Sequence, residues 1–353
     1  MIYSLKYRFV LYAFFLGIII CLFCAFISNK HLLKKAPPPY SKKYSELIKD
    51  GPIRGITLGL HSEDLSYDYS EMIEEIKETD SKWINIMFKF YQDTIDSDSI
   101  DVPELNSLYW GQLKQSIKKA KEEDLNIMLF PIVLLKKEKL GEWRGRLKPE
   151  EKSIWYENYK DLMLIIAEIA QKEQVDLLSI GSEFCAFEGD FTDWSYIIKH
   201  VREIYDGGLT YSVNWDSILD NSFHRELDVL GISGYFPLTK SKNPTIAELT
   251  SAWKSIKDSI NQIQNSLKTP LIFSEIGYAS QNGINSAPWN YYVSEELDLR
   301  EQQDCYEAFT RVWIDENKLS GVFFYDWFGL GGTKDIGYTL KGKPALKIVK
   351  KWF

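Results

Sequence analysis

Cysteine is scarce in this sequence, and the few cysteines present form no pattern. Only four occur among 353 residues. Cys21 and Cys24 lie in an apolar N-terminal run, whereas Cys185 and Cys305 stand far apart in the rest of the chain. Two such distant cysteines provide neither a disulfide framework nor a zinc site. We therefore expect free thiols, which give no information on cellular compartment.

Histidine is equally sparse, which argues against a metal enzyme. The four histidines are His31, His61, His200 and His224, and no two of them have the spacing that places metal ligands on one helix face. We expect no metal and no other cofactor. The sequence also lacks a Gly-x-Ser-x-Gly element, so a serine hydrolase of the α/β type is not expected.

An excess of positive charge is also missing. The formal net charge is −8 and the isoelectric point is near 5.3. Binding to phosphate backbones needs a basic face, so nucleic acid is excluded as a partner. The apolar fraction of 45% and the charged fraction of 26% are ordinary for a globular protein.

A long uncharged run is present at the N-terminus. Residues 9–27 carry no charge and are long enough to cross a bilayer as a helix. The run exceeds a usual signal-peptide core and no small-x-small site follows it, so an uncleaved signal anchor is favoured over a cleaved signal peptide. Residues 1–28 are thus interpreted as the membrane anchor or signal segment. Residues 29–50, rich in proline and lysine, are interpreted as a semi-rigid linker.

From residue 51 onward, short apolar runs rich in β-forming residues alternate with amphipathic stretches of helical spacing. Continuous apolar runs are typical of parallel strands that helices cover on both faces. The predicted strands are Ile53–Leu60, Lys82–Phe90, Leu125–Leu134, Val175–Gly181, Leu209–Trp215, Asp228–Tyr235, Pro270–Ile276 and Leu319–Trp327. The predicted helices are Tyr69–Glu78, Leu105–Glu123, Trp155–Glu173, Asp193–Tyr205, Thr245–Leu267, Gln302–Asn317 and Lys343–Phe353.

Eight such units predict an α/β fold of the (β/α)8 TIM-barrel type, with residues 51–353 as a single domain. The helical stretch after the fifth strand is the weakest part of the pattern. The alternative fold is an open doubly wound sheet. That fold usually has a glycine-rich phosphate turn after its first strand, and no such turn follows Leu60.

Two predicted strands end in glutamate. The fourth ends in Gly181-Ser182-Glu183 and the seventh in Ser274-Glu275. In a TIM barrel the functional side chains lie at the carboxyl ends of the strands. Two carboxyl groups there can flank a glycosidic bond as nucleophile and acid/base, whereas the structural alternative pairs each glutamate with a barrel Arg or Lys.

Aromatic and polar residues also cluster after strand ends, and they suggest platforms for sugar rings. Core aromatic residues would instead be scattered along strands and helices. The candidate substrate-binding residues are Trp143, Arg144, Asn214, Trp215, Tyr235, Tyr278, Trp289 and Trp327.

Several stretches together resemble glycoside hydrolase family 113, which is known for β-mannanases and belongs to the clan A retaining enzymes. They run in order across residues 53–353. They are Glu142-Trp143-Arg144-Gly145, Gly181-Ser182-Glu183, Thr210-Tyr211-Ser212-Val213-Asn214-Trp215-Asp216, Gly234-Tyr235-Phe236-Pro237, Ser274-Glu275-Ile276-Gly277-Tyr278, Pro288-Trp289 and the Trp327 region.

The resemblance implies Glu183 as acid/base and Glu275 as nucleophile. It further implies that Tyr235 orients the nucleophile and that Trp327 floors the subsite of the attacked sugar. One departure concerns the residue before the acid/base, which is asparagine in most clan A enzymes and Ser182 here. Asn214 could replace that asparagine in contacting the sugar 2-hydroxyl.

Two functions are open on sequence alone. The first is a monomeric retaining hydrolase of an oligo- or polysaccharide such as β-mannan or another β-1,4-glycan. The second is a non-catalytic, membrane-anchored glycan-binding barrel in polysaccharide assembly or export. The positive-inside rule alone would place the barrel in the cytoplasm, because more lysines follow the apolar run than precede it. A glycan substrate favours the opposite side, so we expect an extracytoplasmic barrel tethered through residues 9–27.

Overall fold

The computed structural model describes residues 42–218, 222–267, 269–314 and 319–353. The predicted membrane anchor and most of the predicted linker lie outside these ranges. Within them, no helix has the length and apolar composition needed to cross a bilayer.

Eight parallel strands close into a barrel, each paired with its neighbours in chain order and β1 paired with β8. The predicted TIM barrel is thereby confirmed. Each strand was predicted within a few residues of its observed bounds. The strands are β1 Ile53–Gly59, β2 Trp83–Gln92, β3 Asn126–Leu135, β4 Leu177–Ser182, β5 Gly208–Asn214, β6 Leu230–Ser233, β7 Leu271–Ile276 and β8 Leu319–Trp327.

Helices cover most of the barrel's outer face. After β5 the described chain forms only a short 3-10 turn, Ser222–Glu226, where the helical pattern was weakest. The α-helices are α1 Lys42–Leu47, α2 Ser70–Lys77, α3 Leu108–Glu122, α4 Lys152–Lys172, α5 Phe191–Arg202, α6 Ile246–Leu267, α7 Leu299–Trp313 and α8 Leu346–Val349.

The C-terminal end of the predicted linker belongs structurally to the barrel. Helix α1 packs beneath the amino ends of the strands, where the Tyr44 hydroxyl lies 2.7 Å from the Ser320 hydroxyl. A β-carbon on Gly208 would come within 2.7 Å of the Leu47 side chain, so the contact is close. Residues 42–47 are therefore not a solvated linker.

The barrel interior changes from apolar to polar along its axis. Near the amino ends of the strands, the Trp83 and Phe323 rings meet edge to face at 6.3 Å. Nearer the carboxyl ends, the Ser212 hydroxyl lies 2.9 Å from that of Ser233 and 2.5 Å from that of Ser274. These serines form a small hydrogen-bonded layer beneath the mouth of the barrel.

Much of the aromatic content packs between strands and helices. Trp155 stacks on Tyr159 at 5.0 Å, and Trp253 meets Phe309 edge to face at 5.1 Å. Both tryptophans are fully buried. Large aromatic side chains contribute strongly to core stability through the area they bury, so this share of the aromatic residues serves the fold and not a ligand.

Candidate active site

Strand β4 delivers Glu183 to the mouth of the barrel. Between Ser179 and Ser182, β4 has one residue more than the facing part of β5. This extra residue forms a β-bulge, which bends the strand. Glu183 then adopts a left-handed backbone with φ of 58°, and its N–H donates to the Ser212 carbonyl at 2.8 Å. The residue is only 6% exposed. Bulge and left-handed residue together turn the chain at the acidic side chain.

The Glu183 carboxylate pairs with Arg144, which comes from the turn after β3. The guanidinium Nη2 donates to Oε2 at 2.5 Å. Burial lowers the pKa of Arg144, but the carboxyl groups of Glu183 and Glu275 together raise that pKa above its usual value. One guanidinium therefore lies within electrostatic range of both glutamates.

Strand β7 delivers Glu275, which is 5% exposed. The strand has one extra residue relative to β6 between Phe273 and Glu275, so a second bulge precedes the second glutamate. The Tyr235 hydroxyl donates to Oε2 at 2.8 Å. The other oxygen, Oε1, is buried and accepts no hydrogen bond from any described residue. A bare, buried carboxylate oxygen is costly unless a ligand uses it.

The environment of Glu275 raises its pKa to about 7. Burial is the largest cause, and the nearby carboxylate of Glu183 adds to it. The charge of Arg144 and the hydrogen bond from Tyr235 act in the opposite direction. The two glutamates therefore interact electrostatically with each other.

An open cleft of about 810 Å³ lies over Glu275 and Arg144. Its wall beyond them comes from the ends of β8, β1, β2 and β3 and from the loop after β8. Residues lining this part include His61, Lys89, Ile132, Tyr325, Asp326 and Asp335. The cleft is large enough for sugar rings.

Polar groups from β8, β1 and β2 converge in this cleft. His61 Nε2 lies 3.3 Å from Asp326 Oδ2. The imidazole packs over Gly59, where a β-carbon would come within 1.9 Å of Nε2, so only glycine allows this placement. Lys89 is half-buried on β2, and burial lowers its pKa. Its ammonium group donates no hydrogen bond to a described residue.

Three tyrosines form a wall between the loops after β7 and β8. The hydroxyl groups of Tyr291 and Tyr325 lie 3.0 Å apart, and the rings of Tyr291 and Tyr338 lie 5.0 Å apart. All three line the cleft. The Gln281 amide donates to the carbonyls of Tyr291 and Ile336, which ties the two loops together.

A second aromatic surface lies after β5 and β6. Trp215 stacks on Trp289 with ring centres 5.2 Å apart, and Phe236 meets Trp215 at 5.9 Å. Trp289 remains 45% exposed. The structure thus brings two of the predicted sugar-binding tryptophans together, with an accessible indole at the rim.

Asn214 and Ser182 occupy the polar layer close to Glu183. The Asn214 amide donates to Asp216 Oδ1 at 2.6 Å, so in this structure it is turned toward its own loop. The Ser182 hydroxyl is buried and has no hydrogen-bond partner among the described residues.

Two predicted sugar-binding residues lie away from the cleft. Tyr278 is fully buried, and its ring meets that of Tyr306 on α7 at 5.3 Å. Trp327 is 3% exposed, and its indole N–H donates to Glu75 on α2 at 2.9 Å. The prediction that Trp327 floors the subsite of the attacked sugar is therefore corrected, because its ring faces the helices.

A β-bulge explains why the Trp327 side chain points away from the cleft and not into it as predicted. Ile56 of β1 pairs with Phe324 of β8, and Leu58 pairs with Trp327. Between these pairs β8 therefore has one residue more than β1. The extra residue reverses the alternation of side chains beyond Tyr325. Tyr325 is consequently the large aromatic residue that β8 presents to the cleft.

Trp143 is half-buried at the rim, and its indole covers its own turn. A β-carbon on Gly145 would come within 2.4 Å of that ring. Its neighbour Arg144 is the residue of this motif that reaches the two glutamates. The structure therefore places Trp143 as a support for the arginine turn.

Sequence reasoning missed most of the polar lining of the cleft. Lys89 and Asp326 have the strand-end position that identified the glutamates, and this signal could have found them. Tyr291 and Tyr338 lie on loops without periodicity, so no pattern in the sequence points to them.

Known proteins resemble this chain in sequence and fold. The family model of Glycoside Hydrolase Family 113 matches residues 57–339. A GH113 β-mannanase from Alicyclobacillus acidocaldarius is 23% identical, covers 85% of this chain and 96% of its own, and superposes with a TM-score of 0.76. A GH113 β-1,4-mannanase is 25% identical with coverage of 85% and 98% and the same TM-score of 0.76.

A more distant structure shares only the fold. The family 5 mannosidase from Rhizomucor miehei is 10% identical, with coverage of 85% and 92% and a TM-score of 0.59. No curated protein sequence matches the chain. Because the family 113 model spans most of the barrel, this chain belongs to glycoside hydrolase family 113 and is an O-glycosyl hydrolase.

Proposed function

We propose that this chain hydrolyses a neutral β-linked glycan, β-mannan or another β-1,4-glycan, with retention of configuration. The observation that carries the proposal is a pair of buried carboxyl groups, Glu183 and Glu275, that interact electrostatically with each other and with Arg144. Retaining glycosidases need two such groups, about 5–5.5 Å apart, on either side of the scissile bond.

In the first step, Glu275 is the nucleophile. Its bare Oε1 attacks the anomeric carbon while Tyr235 holds Oε2. The bond from the anomeric carbon to the leaving oxygen breaks, and Glu183 donates its proton to that oxygen. The products are a glycosyl ester on Glu275, a free leaving group and an ionised Glu183.

In the second step, Glu183 becomes the base. It takes a proton from a water molecule, whose oxygen attacks the anomeric carbon from the face that the leaving group vacated. The ester bond to Glu275 breaks and its carboxylate is regenerated. Two inversions give a product of retained configuration, and Glu183 is again protonated.

One observation opposes this assignment of roles. The Arg144 guanidinium pairs with Glu183 and not with Glu275, and burial raises the pKa of Glu275 and so favours its protonated form. The first step needs the proton on Glu183. The two carboxyl groups are coupled, so one proton can move between them when a sugar displaces water and Arg144 turns toward Glu275. The strand positions implied by the family support Glu275 as the nucleophile.

The charge of the cleft supports a neutral substrate. The residues that line the cleft include four acidic side chains, Glu138, Glu275, Asp326 and Asp335. Its lining has only two lysine or arginine side chains, Lys89 and Arg144. The whole chain carries a net charge of −8. An anionic polymer would be repelled by this field, whereas neutral sugar hydroxyls can both donate and accept here.

The two glutamates divide the rim into two arcs, which gives the substrate a direction. The cleft at Glu275 extends along the carboxyl ends of β8, β1 and β2. We assign to this side the sugar that forms the ester with Glu275. His61, Lys89 and Asp326 would then bind its hydroxyls. Trp215 and Trp289 lie on the shorter arc, after β5 and β7, and would stack against the leaving-group side.

Mannan as the sugar is supported by the neighbouring structures described as β-mannanases. A membrane tether through residues 9–27 and an extracytoplasmic barrel remain part of the proposal. A tethered enzyme would act on glycan close to its own membrane. Loss of a carboxylate would favour the non-catalytic binding alternative, and the sequence has both Glu183 and Glu275.

The proposal is tested by product stereochemistry. Residues 42–353 and the full chain would be incubated with defined β-linked manno- and gluco-oligosaccharides, and the first-formed anomer read by NMR. A β-anomer is expected. An initial α-anomer would exclude the retaining mechanism, and no turnover on any β-glycan would exclude the proposed substrate class.

A further inference from the structure

The segment that follows Glu183 is fixed by a buried acidic residue. After Glu183 the chain makes one 3-10 turn and reaches Glu188, which is 2% exposed. Glu188 Oε1 accepts a hydrogen bond from the Tyr211 hydroxyl at 3.1 Å, and Oε2 accepts one from the Ser217 hydroxyl at 3.2 Å. Both partners belong to β5 or to the loop after it.

Tyr211 connects this carboxylate to the backbone beside Glu183. Its hydroxyl oxygen accepts a hydrogen bond from the Phe184 N–H at 2.9 Å. The N–H of Glu183 itself donates to the Ser212 carbonyl at 2.8 Å. The two peptide groups that flank the Glu183 α-carbon are therefore both held by adjacent residues of β5.

Such double fixation has a physical purpose at this position. With φ of 58°, Glu183 has a conformation that L-residues rarely adopt. A conformation of this kind persists only where the surrounding structure holds it. The Tyr211 hydroxyl donates its own hydrogen to Glu188, and this bond fixes the orientation of the hydroxyl group. In that orientation its oxygen accepts the hydrogen bond from the Phe184 N–H.

We propose that Glu188, acting through Tyr211, is a positioning residue that orients Glu183 for proton transfer to the leaving group. The inference rests on the proposed role of Glu183 as acid/base. Five groups lie near the Glu188 carboxyl: the hydroxyls of Tyr211 and Ser217, the carboxyls of Glu183 and Asp216, and the Cys185 thiol. None of them is a cation.

Burial of Glu188 without a cationic partner has a measurable consequence. It raises the pKa of this carboxyl to about 7. A side chain that served only to fill space would be more stable as an apolar residue. The carboxyl is retained although it is costly, which fits a role in holding a hydrogen-bond network.

Leaving-group dependence separates positioning from general support of the fold. An aryl β-glycoside with a dinitrophenyl leaving group departs without a proton, whereas a phenyl glycoside needs the acid. For Tyr211→Phe and Glu188→Met, kcat/KM on the phenyl glycoside should fall about 30-fold, a part of the 10²–10⁴-fold that acid catalysis supplies. On the dinitrophenyl glycoside it should fall by only about twofold.

The ratio of the two kcat/KM values is the readout, because it does not depend on how much of the sample is folded. Glu188→Gln keeps an acceptor for the Tyr211 hydroxyl and offers an amide N–H to Ser217, whose hydroxyl now donates to Oε2 and can turn to accept, so it should restore most of the ratio. Tyr205→Phe is the matched control. It removes another buried hydroxyl, which donates to the Val175 carbonyl at 2.9 Å below the opposite end of β4, and should leave the ratio unchanged.

Glu183→Ala measured in parallel identifies which proposal fails. If Glu183→Ala changes the ratio and the Tyr211 and Glu188 variants do not, positioning through Glu188 is wrong and the catalytic assignment stands. If Glu183→Ala leaves the ratio unchanged, Glu183 is not the acid and both proposals are overturned.

Discussion

The ends of β4 and β7 each carry a glutamate, and the two carboxyl groups interact electrostatically, but their surroundings differ. Glu183 has a left-handed backbone, an ion pair with Arg144 and a fixed segment behind it. Glu275 remains in an extended strand, with one oxygen held by Tyr235 and the other without a partner. Two chemically identical side chains therefore lie in different surroundings, which fits the different tasks that we propose for them.

The difference lies in how each carboxyl group is tolerated in a buried place. Glu183 is compensated by a cation, and Glu275 by a pKa near 7 that lets it take up a proton. Bulges precede both residues. The strands are thus irregular just before each of the two glutamates.

The largest effect should come from removing the nucleophile. Glu275→Gln keeps the size of the side chain and the hydrogen bond from Tyr235, but an amide cannot attack the anomeric carbon. We expect kcat on a β-linked oligosaccharide to fall on the order of 10⁴-fold or more. Steady-state kinetics would check this, with circular dichroism as the control for folding. Activity within tenfold of the parent would contradict the assignment.

A smaller loss of activity should follow when Glu275 keeps its carboxylate but loses its hydrogen bond from Tyr235. Tyr235→Phe removes the hydrogen bond at 2.8 Å that holds Glu275 Oε2. We expect kcat/KM to fall roughly 10–100-fold, as when one charge-assisted hydrogen bond is lost at a reacting group. Since this bond lowers the pKa of Glu275, the acid limb of the pH profile should also move upward. An unmoved limb would show that Tyr235 does not act on the nucleophile.

The two arcs of the rim give a third prediction. Trp289→Ala removes an exposed indole on the side assigned to the leaving group. KM for oligosaccharides that extend to this side should rise about 3–10-fold, the equivalent of one aromatic stacking contact, while aryl monoglycosides should respond little. Tyr292→Ala is the matched control, because Tyr292 lies on the same loop and is 88% exposed. Equal effects of the two variants would contradict the assigned direction.

Stability should show the difference between the carboxyl groups as a function of pH. The pKa of Glu275 is raised from 4.5 to about 7, so the folded state holds its proton more tightly than the unfolded state does. The contribution of Glu275 to the free energy of unfolding is therefore fully present below the pKa that this group has in the unfolded chain. It is lost as the pH rises through its folded-state pKa of about 7.

Glu275→Gln removes that loss. Relative to the parent, its free energy of unfolding should be higher by on the order of 2 kcal/mol at about pH 8, and the advantage should vanish below about pH 4.5. Urea unfolding at the two pH values measures this difference. An advantage of the same size at both values would mean that Glu275 titrates normally in the folded protein.

Much of the fold could be predicted because each β-strand is covered on both faces. A continuous apolar run such as Leu271–Ile276 allows few other interpretations, and its position in a series of eight predicted the barrel. The two glutamates could be found since each interrupts such a run at its carboxyl end. Arg144 and Tyr235 were found because they follow strand ends, and the resemblance implied the role of Tyr235.

Side-chain direction beyond a bulge could not be predicted. Simple alternation from Phe323 and Tyr325 would point Trp327 into the barrel, but one extra residue in β8 turns it toward α2. Tyr278 follows a bulge in the same way and faces α7. Loop residues such as Tyr291 reach the cleft through long-range contacts, which no local pattern reports.

Azide provides the most direct test of the different roles of Glu183 and Glu275. Each would be replaced by alanine, and an activated aryl β-glycoside would be turned over with azide present. The account predicts that Glu275→Ala gives the α-glycosyl azide by direct attack, whereas Glu183→Ala gives the β-glycosyl azide through the ester intermediate. NMR of the two products decides, and the opposite pairing of variant and anomer would contradict the roles assigned here.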